Sequence, residues 1–288
     1  MSDVPNRPVL LTGASGALGR RLVAYLGGLG WSLRLTDISP FPDQMPANCQ
    51  FWHCDLSDQA GIMTLAEGCG TILHFGAVST EVDFEEILIP NYVGTYHVYE
   101  AARRSGARVV FASSNHAVGF HERDAVLNDD ADFLPSGFYG LSKAYGELMG
   151  RLYWFKHGVE NVNLRIAATS PRPIDERTLA TWFSYRDFCR LCERAVLAGN
   201  VECCVVWGVS DNIRSRRGTD ARALIGWRPM DSADPFASEV AGIVSDNPVL
   251  RRYLGMFTAV NYTRQGPPPG PLFDPARRQG ADGQSPQE

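Results

Sequence analysis

An α/β fold built on a doubly wound parallel sheet is predicted by three features of the sequence. Short apolar runs recur with room for a helix between them, and the intervening segments carry apolar residues at helical spacing. The first run also passes through a glycine-rich turn straight into a helix. The runs 9–12, 32–36, 50–54, 71–75, 108–112 and 162–166 read as strands buried on both faces, as parallel strands are. After the first of them Leu18, Leu22, Leu26 and Leu29 form one helical stripe that can lie on a sheet. Beyond Ala167 the order loosens into a loop interrupted by Pro171 and Pro173, a helix over 180–197, a strand over 203–207 and a short helix near 220–225. The expected organisation is therefore a sheet domain over 1–167 and a smaller part over 168–264, interleaved with the sheet and covering the substrate. The segment 265–288, rich in Pro, Gly and Gln, cannot bury enough apolar surface to offset its ordering entropy and is expected to be a disordered tail.

Composition narrows the function classes. The 288 residues are 44% hydrophobic and 20% charged, enough to bury a large core, and the net charge of -5 supplies no basic field for nucleic acid or an anionic membrane. No run approaches the roughly 20 apolar residues of a membrane span, and the start Met-Ser-Asp-Val-Pro lacks the features of a signal peptide, so a cytoplasmic protein is expected. Seven cysteines, an odd number scattered through apolar segments, suit buried thiols in a reducing compartment. Cys189 and Cys192 form a CxxC, but in a helical stretch without a second pair or nearby histidines. Ordinary packing is favoured there and no metal is expected.

The glycine turn points to a ligand. Gly13 permits a tight turn, Gly16 lets the backbone approach a pyrophosphate, and Gly19 lets helix and strand pack closely. The helix opening at Ala17 and Leu18 presents free N–H groups to an anion. This is a Rossmann-type dinucleotide site. Asp37, 18 residues after Gly19 and followed by Ile38 and Ser39, can accept hydrogen bonds from ribose hydroxyls and repel a 2′-phosphate, which favours NAD over NADP. A turn-forming role for Asp37 remains open. Asp55 and Leu56 end the third strand where adenine would lie, with a helix N-cap as the other role for Asp55. Phe75, Gly76 and Ala77, at the end of the fourth strand, complete the candidate cofactor contacts.

At the carboxyl edge of the fifth strand stands Ser113-Ser114-Asn115-His116, and 25 residues after Ser114 comes Tyr139-Gly-Leu-Ser-Lys143. The i,i+4 spacing puts the phenol and the amine on one helix face. A phenol with a pKa near 10 is a poor base, but an adjacent ammonium and a positive nicotinamide ring both favour its anion. Tyr139 is then the base, Lys143 its electrostatic tuner and a cofactor contact, and Ser114 a donor to the substrate oxygen. Taken singly, Tyr139 is compatible with a core aromatic, Lys143 with a solvated face and Ser114 with a strand-end cap.

Together these motifs resemble the short-chain dehydrogenase/reductase superfamily in its extended branch, over residues 8 to about 230. Within it, Phe111-Ala-Ser-Ser-Asn-His116, Gly137-Phe-Tyr-Gly-Leu-Ser-Lys143, Thr181-Trp-Phe-Ser184, Val205-Val-Trp-Gly208 and Ile225-Gly-Trp227 resemble the uronate dehydrogenases. The resemblance implies NAD-dependent oxidation of glucuronate or galacturonate at C1 to an aldarolactone, with a homo-oligomer by analogy. It also implies that Ser79, Ser114, Asn115 and His116 line the sugar and that Arg177 engages the uronate carboxylate. A surface arginine and a structural histidine are the alternatives for Arg177 and His116. Two departures stand out: Ala168 where serine is expected, with Thr169 or Ser170 as substitutes, and Arg214, Arg216 and Arg217 where aromatic residues are expected. That loop is either solvated or placed to meet a phosphate. The competing functions are another extended dehydrogenase acting on a sugar or sugar phosphate, a nucleotide-sugar epimerase, and a non-catalytic NAD sensor.

Overall fold

The structure, a computed structural model, describes residues 4–244; the expected tail over 265–288 and the end of the smaller part, 245–264, lie outside them. Seven parallel strands form one sheet: β1 (Val9–Thr12), β2 (Leu33–Asp37), β3 (Cys49–His53), β4 (Thr71–His74), β5 (Arg108–Ser114), β6 (Asn161–Ile166) and a last strand, Cys203–Gly208. Their spatial order is 3-2-1-4-5-6-last, so the winding reverses between β1 and β4. A ligand crevice opens at such a switch point, outside the carboxyl ends of the strands.

Helices cover both faces. Leu22, Val23 and Leu26 of α1 (Ala17–Gly28) join Val9 and Leu11 in one core layer, while Leu10 points into the other. That second layer holds Ile62 and Leu65 of α2 (Gln59–Ala66), Val98, Tyr99 and Ala102 of α4 (Gly94–Ser105) and Tyr153 of α5 (Phe138–His157). Between β4 and α4 lies the short helix α3 (Phe84–Ile87), followed by a π-turn at Leu88–Val93. Pro90 within that turn has no N–H to give a regular helix.

The expected strands lie within a residue or two of the observed ones, except that β5 runs on to Ser114 and carries both serines into the sheet. After β6 the structure differs more. The single helix expected over 180–197 is three pieces: α6 (Thr178–Thr181), β8 (Trp182–Phe183) and α7 (Tyr185–Leu197). The break arises because β8 pairs with β7 (Ala168–Thr169), and because the Ser184 hydroxyl accepts the Asp187 N–H at 2.9 Å as the N-cap of α7. The last strand of the sheet, Cys203–Gly208, is β9 and pairs along β6. The expected helix at 220–225 is a run of turns, because the Asp220 carboxylate takes the N–H groups of Trp207 and Arg222 and Gly226 turns the chain at φ 63°.

α7 joins α1 on the first face, with Phe188, Leu191, Cys189 and Cys192 in the core. On α5 the Glu147 carboxylate forms a two-point pair with Arg165 of β6, both contacts at 3.0 Å and both side chains fully buried. Ser113 of β5 donates to the same carboxylate at 2.5 Å, fixing α5 against the sheet next to Ser114. Among the described residues no helix is long and apolar enough to cross a membrane.

Candidate active site

A cavity of about 920 Å³ lies at the carboxyl ends of β1, β4 and β5, and every candidate cofactor and substrate residue lines it. At one end β1 turns through Gly13 at φ 72°, where a Cβ would come within 2.5 Å of the Phe75 and Gly76 backbone. At Gly19 a Cβ would sit 2.1 Å from the Gly13 carbonyl, so α1 packs on the turn only with glycine there. Gly16 caps α1 with no side-chain hydrogen bond, leaving first-turn N–H groups for an anion. The Asp37 carboxylate accepts the N–H groups of Ser15 and Ser39, each at 3.0 Å, which fixes it at the end of β2 beside the turn. Its turn-forming bond and its position on the cavity wall therefore coexist.

Lys143 and Arg177 are the lysine and arginine of the cavity wall, and neither neighbours Asp37 in the chain. Arg34, on the same strand as Asp37, turns away and donates to the Leu65 and Glu67 carbonyls. Among the described residues the wall thus carries a carboxylate and no adjacent arginine or lysine on β2, which suits a 2′-hydroxyl. Asp55 accepts the Ser57 N–H at 2.7 Å and is not the helix cap, a role taken by Asp58 with Gly61 N–H at 3.0 Å. The turn, the free helix end and the fixed carboxylate together fit NAD.

At the other end Ser114, Asn115 and His116 leave β5, and α5 brings Tyr139 and Lys143 against them. Glu81 sets the start of α5, its carboxylate accepting the N–H groups of Phe138 at 2.6 Å and Tyr139 at 3.0 Å. A Cβ at Gly137 would meet that carboxylate at 2.4 Å, so a side chain there would have to displace Glu81. Ser142 donates to the Tyr139 carbonyl at 2.7 Å and receives the Asn91 amide at 2.9 Å. Asn91, from the π-turn, also pairs with both backbone groups of Val78, tying the loop that carries Ser79 to α5.

Electrostatics here depart from the sequence expectation. Burial pushes the Tyr139 phenol up to about 12, with a hydrogen bond from Ser114 opposing it. Burial also brings the Lys143 amine down to about 7; its Nζ stands 5.4 Å from the Tyr139 ring centre and 5.1 Å from that of Phe111. An ammonium and a nicotinamide ring both favour the phenolate, whereas removal from water, the largest influence on each group here, disfavours the charged form of both. His74, below Lys143, is held down near 3 by burial and then by the lysine charge, and stays neutral between the Thr12 and Thr95 hydroxyls.

His116 Nδ1 lies 2.9 Å from the Ser136 hydroxyl, and its ring meets Tyr139 edge-on with centroids 5.7 Å apart. Arg177 opens α6 and reaches the cavity wall with Asp175 at 3.8 Å. Burial lowers its pKa, Arg123 adds to the effect and Asp175 opposes it. Ala168 and Thr169 line the cavity, the Thr169 hydroxyl donating to the Ala167 carbonyl at 3.4 Å, whereas Ser170 is not on the wall and its hydroxyl donates to the Arg172 carbonyl.

Sequence reading missed Thr12, Ser15, Ile89, Pro90 and Tyr185 on the wall, and Glu81 and Asn91 behind it. Tyr185 is placed by Arg21, whose guanidinium carbon lies 3.3 Å from its ring centre. The first residue of a helix that follows an unforeseen strand carries no periodic signature. Thr12, at the end of a foreseen strand, was within reach of such reading.

Residues 9–184 match the NAD dependent epimerase/dehydratase family. The uronate dehydrogenase of Pseudomonas putida is 43% identical over 241 residues, 83% of this chain and 90% of that protein. The NAD-dependent glucose-6-phosphate dehydrogenase of Haloferax volcanii is 34% identical over 256 residues, 81% of this chain and 97% of that protein. A mutant uronate dehydrogenase of Agrobacterium tumefaciens, solved in complex with NAD, superposes with a TM-score of 0.83 at 36% identity, covering 92% of this chain and 98% of that one.

Proposed function

The chain belongs to the NAD dependent epimerase/dehydratase family, and on that premise we propose that it is an NAD-dependent uronate dehydrogenase. It oxidises the anomeric hydroxyl of cyclic D-glucuronate or D-galacturonate to the aldarolactone. The observation that carries this reading is a single cavity with a dinucleotide turn at one end, Tyr139 and Ser114 in the middle and Arg177 at the other end.

Gly13, Gly16, Ala17, Leu18 and Gly19 would hold the pyrophosphate, Asp37 the adenosine ribose with Ile38 and Ser39 beside it, and Asp55 and Leu56 the adenine edge. Phe75, Gly76 and Ala77 follow the dinucleotide along the end of β4. When bound, NAD would supply the two-electron acceptor and a positive charge favouring the phenolate. Tyr139 takes the proton of the C1 hydroxyl, and Ser114 donates to the same oxygen and holds it in place. Lys143 contacts the nicotinamide ribose. As an ammonium near the phenol it favours the phenolate, against the burial that otherwise holds Tyr139 neutral. The Arg177 fork pairs with the C6 carboxylate, and Ser79, Asn115, His116 and Thr169 line the hydroxyls.

The exposed residues Leu141, Leu148, Leu152 and Phe155 follow one another along a face of α5, with exposed Tyr96 on the adjacent α4. This stripe supports a homo-oligomer packed through these two helices. All seven cysteines are free thiols, which supports a reducing cytoplasm as its location.

The test is NADH formation on mixing the protein, NAD and glucuronate. Stoichiometric NADH with uronates is expected. Isomerised nucleotide sugar without net NADH would replace this reading with the epimerase, and NAD binding without turnover would replace it with the sensor.

A further inference from the structure

Behind Arg177 lies a second, smaller cavity of about 40 Å³, which shares Asn115, Ala167 and Arg177 with the main one. At roughly 10–15 Å³ of free volume per water, it has room for about three waters, the scale of one tetrahedral oxyanion. Arg123, Arg216 and Arg217 complete its basic lining, and among the described residues no acidic one lines it. Among the described residues the ion pairs of these four arginines are Arg177 with Asp175 at 3.8 Å and Arg217 with Asp211 at 3.2 Å. Two guanidinium groups are thus uncompensated. Burial also lowers the pKa of Arg177 and Arg217, an effect to which Arg123 and Arg222 respectively add.

The cluster is built rather than accidental. The Leu127 N–H donates to the Arg216 carbonyl at 3.1 Å, the Gly218 N–H to the Leu127 carbonyl at 2.6 Å, and the Thr219 N–H to the Asn128 side chain at 3.0 Å. These bonds lock the loop that follows Arg123 to the loop carrying Arg216 and Arg217. Arg217 is itself held by the Ser210 carbonyl at 2.8 Å. Trp207, 4% exposed, forms part of the wall and keeps its indole N–H without a partner among the described residues. A cluster of like charge, half-buried except at exposed Arg216 and only partly paired among the described residues, suits an anion of matching charge.

We propose that this pocket is a phosphate subsite, which extends the sugar site past Arg177 so that the enzyme also oxidises, at C1, an aldose carrying a terminal phosphate ester. A uronate carboxylate ends at Arg177. A phosphate ester on the same terminal carbon projects further by a bridging oxygen and brings a dianion to Arg123 and Arg216. The inference rests on the Tyr139 chemistry proposed above. The redox step is the same: the C1 hydroxyl gives its proton to Tyr139 and two electrons with the C1 hydrogen to NAD, forming the phosphorylated lactone.

The experiment compares kcat/KM for glucuronate, glucose 6-phosphate and glucose with NAD, in the wild type and in an Arg123→Gln/Arg216→Gln variant. Arg216 is exposed, and among the described residues neither side chain has an ion-pair partner, so the variant should keep the fold. Glucose 6-phosphate should exceed glucose by about 100-fold or more, and the glucose 6-phosphate to glucuronate ratio should fall at least about 10-fold in the variant, as for loss of a charge-assisted hydrogen bond. NADH from glucuronate, with glucose 6-phosphate no better than glucose, would overturn the subsite and leave the uronate reading standing. NADH from glucose 6-phosphate alone would overturn the uronate reading and uphold the subsite. No NADH from either would overturn both, and an unchanged ratio in the variant would overturn the assignment of these arginines.

Discussion

The two ends of the main cavity are made of different materials. The dinucleotide end is backbone: a turn that excludes any Cβ at Gly13 and Gly19, a helix end with unspent N–H groups, and one carboxylate fixed by two main-chain donors. The sugar end is side chains carried by a strand terminus, the start of α5 and the loops around α6, each positioned by a further side chain such as Glu81, Asn91 or Ser136. Backbone recognition requires glycine and is intolerant of change, whereas side-chain recognition is adjustable. The difference teaches that, on the proposed reading, the cofactor would be fixed by exclusion and the substrate by choice of charge.

Substitutions can break that contrast, beginning with the most severe. Gly19→Ala places a Cβ against the Gly13 carbonyl and should abolish NAD binding, measured by titration of the dinucleotide. Tyr139→Phe should cut turnover by about 10²–10⁴-fold while NAD still binds, because only the proton acceptor is removed. Retained turnover would show that Tyr139 is not the base. Arg177→Ala should lower kcat/KM for glucuronate by about 10–100-fold, the worth of a charge-assisted bond, and leave the value for glucose within a few fold. Equal losses on both sugars would mean that Arg177 does not read the carboxylate.

A gentler test uses the buried amine. Lys143 titrates near 7 when folded against 10.5 ordinarily, so between those values the unfolded chain holds a proton that the folded chain lacks. Stability contributed by this group therefore rises with pH across that window. Lys143→Met should raise the melting temperature of the ligand-free protein most below pH 7, with the gain fading as pH climbs toward 10.5. A gain independent of pH would mean that the amine is not desolvated. Smallest of all, Gly28→Ala, at the end of α1 with open space around it, should stabilise by about 0.5–1 kcal/mol, in contrast to Gly19 on the same helix.

The contrast also governs how much was legible in the sequence. Strand periodicity and the glycine turn are local, so β1 to β6 and the cofactor end could be read directly. Tyr139 and Lys143 were legible as a pair because helix geometry fixes their relative placement over four residues, and Ser114 because it stands at the carboxyl edge of a foreseen strand. Their electrostatics were not, since desolvation depends on what packs around the pair and spacing carries no information about it. Past β6 the two-residue strand β8 interrupts a good helical pattern, and only its pairing with β7 explains why. The arginine loop stood out by composition, but its meeting with Arg123 and Arg177 depends on contacts between segments about 90 residues apart, such as Thr219 with Asn128. The Glu81 carboxylate, 58 residues from the Tyr139 N–H it accepts, had no local mark at all.

The central claim is that NAD binds with its pyrophosphate on the glycine turn and its nicotinamide beside Tyr139. A crystal structure with NAD and glucuronate measures this directly. The nicotinamide ring is expected within roughly 3–3.5 Å of the sugar C1, a near-attack distance, with the C1 hydroxyl on Tyr139 and the carboxylate on Arg177. A nicotinamide ring turned away from the phenol, or a dinucleotide seated outside this cavity, would contradict it.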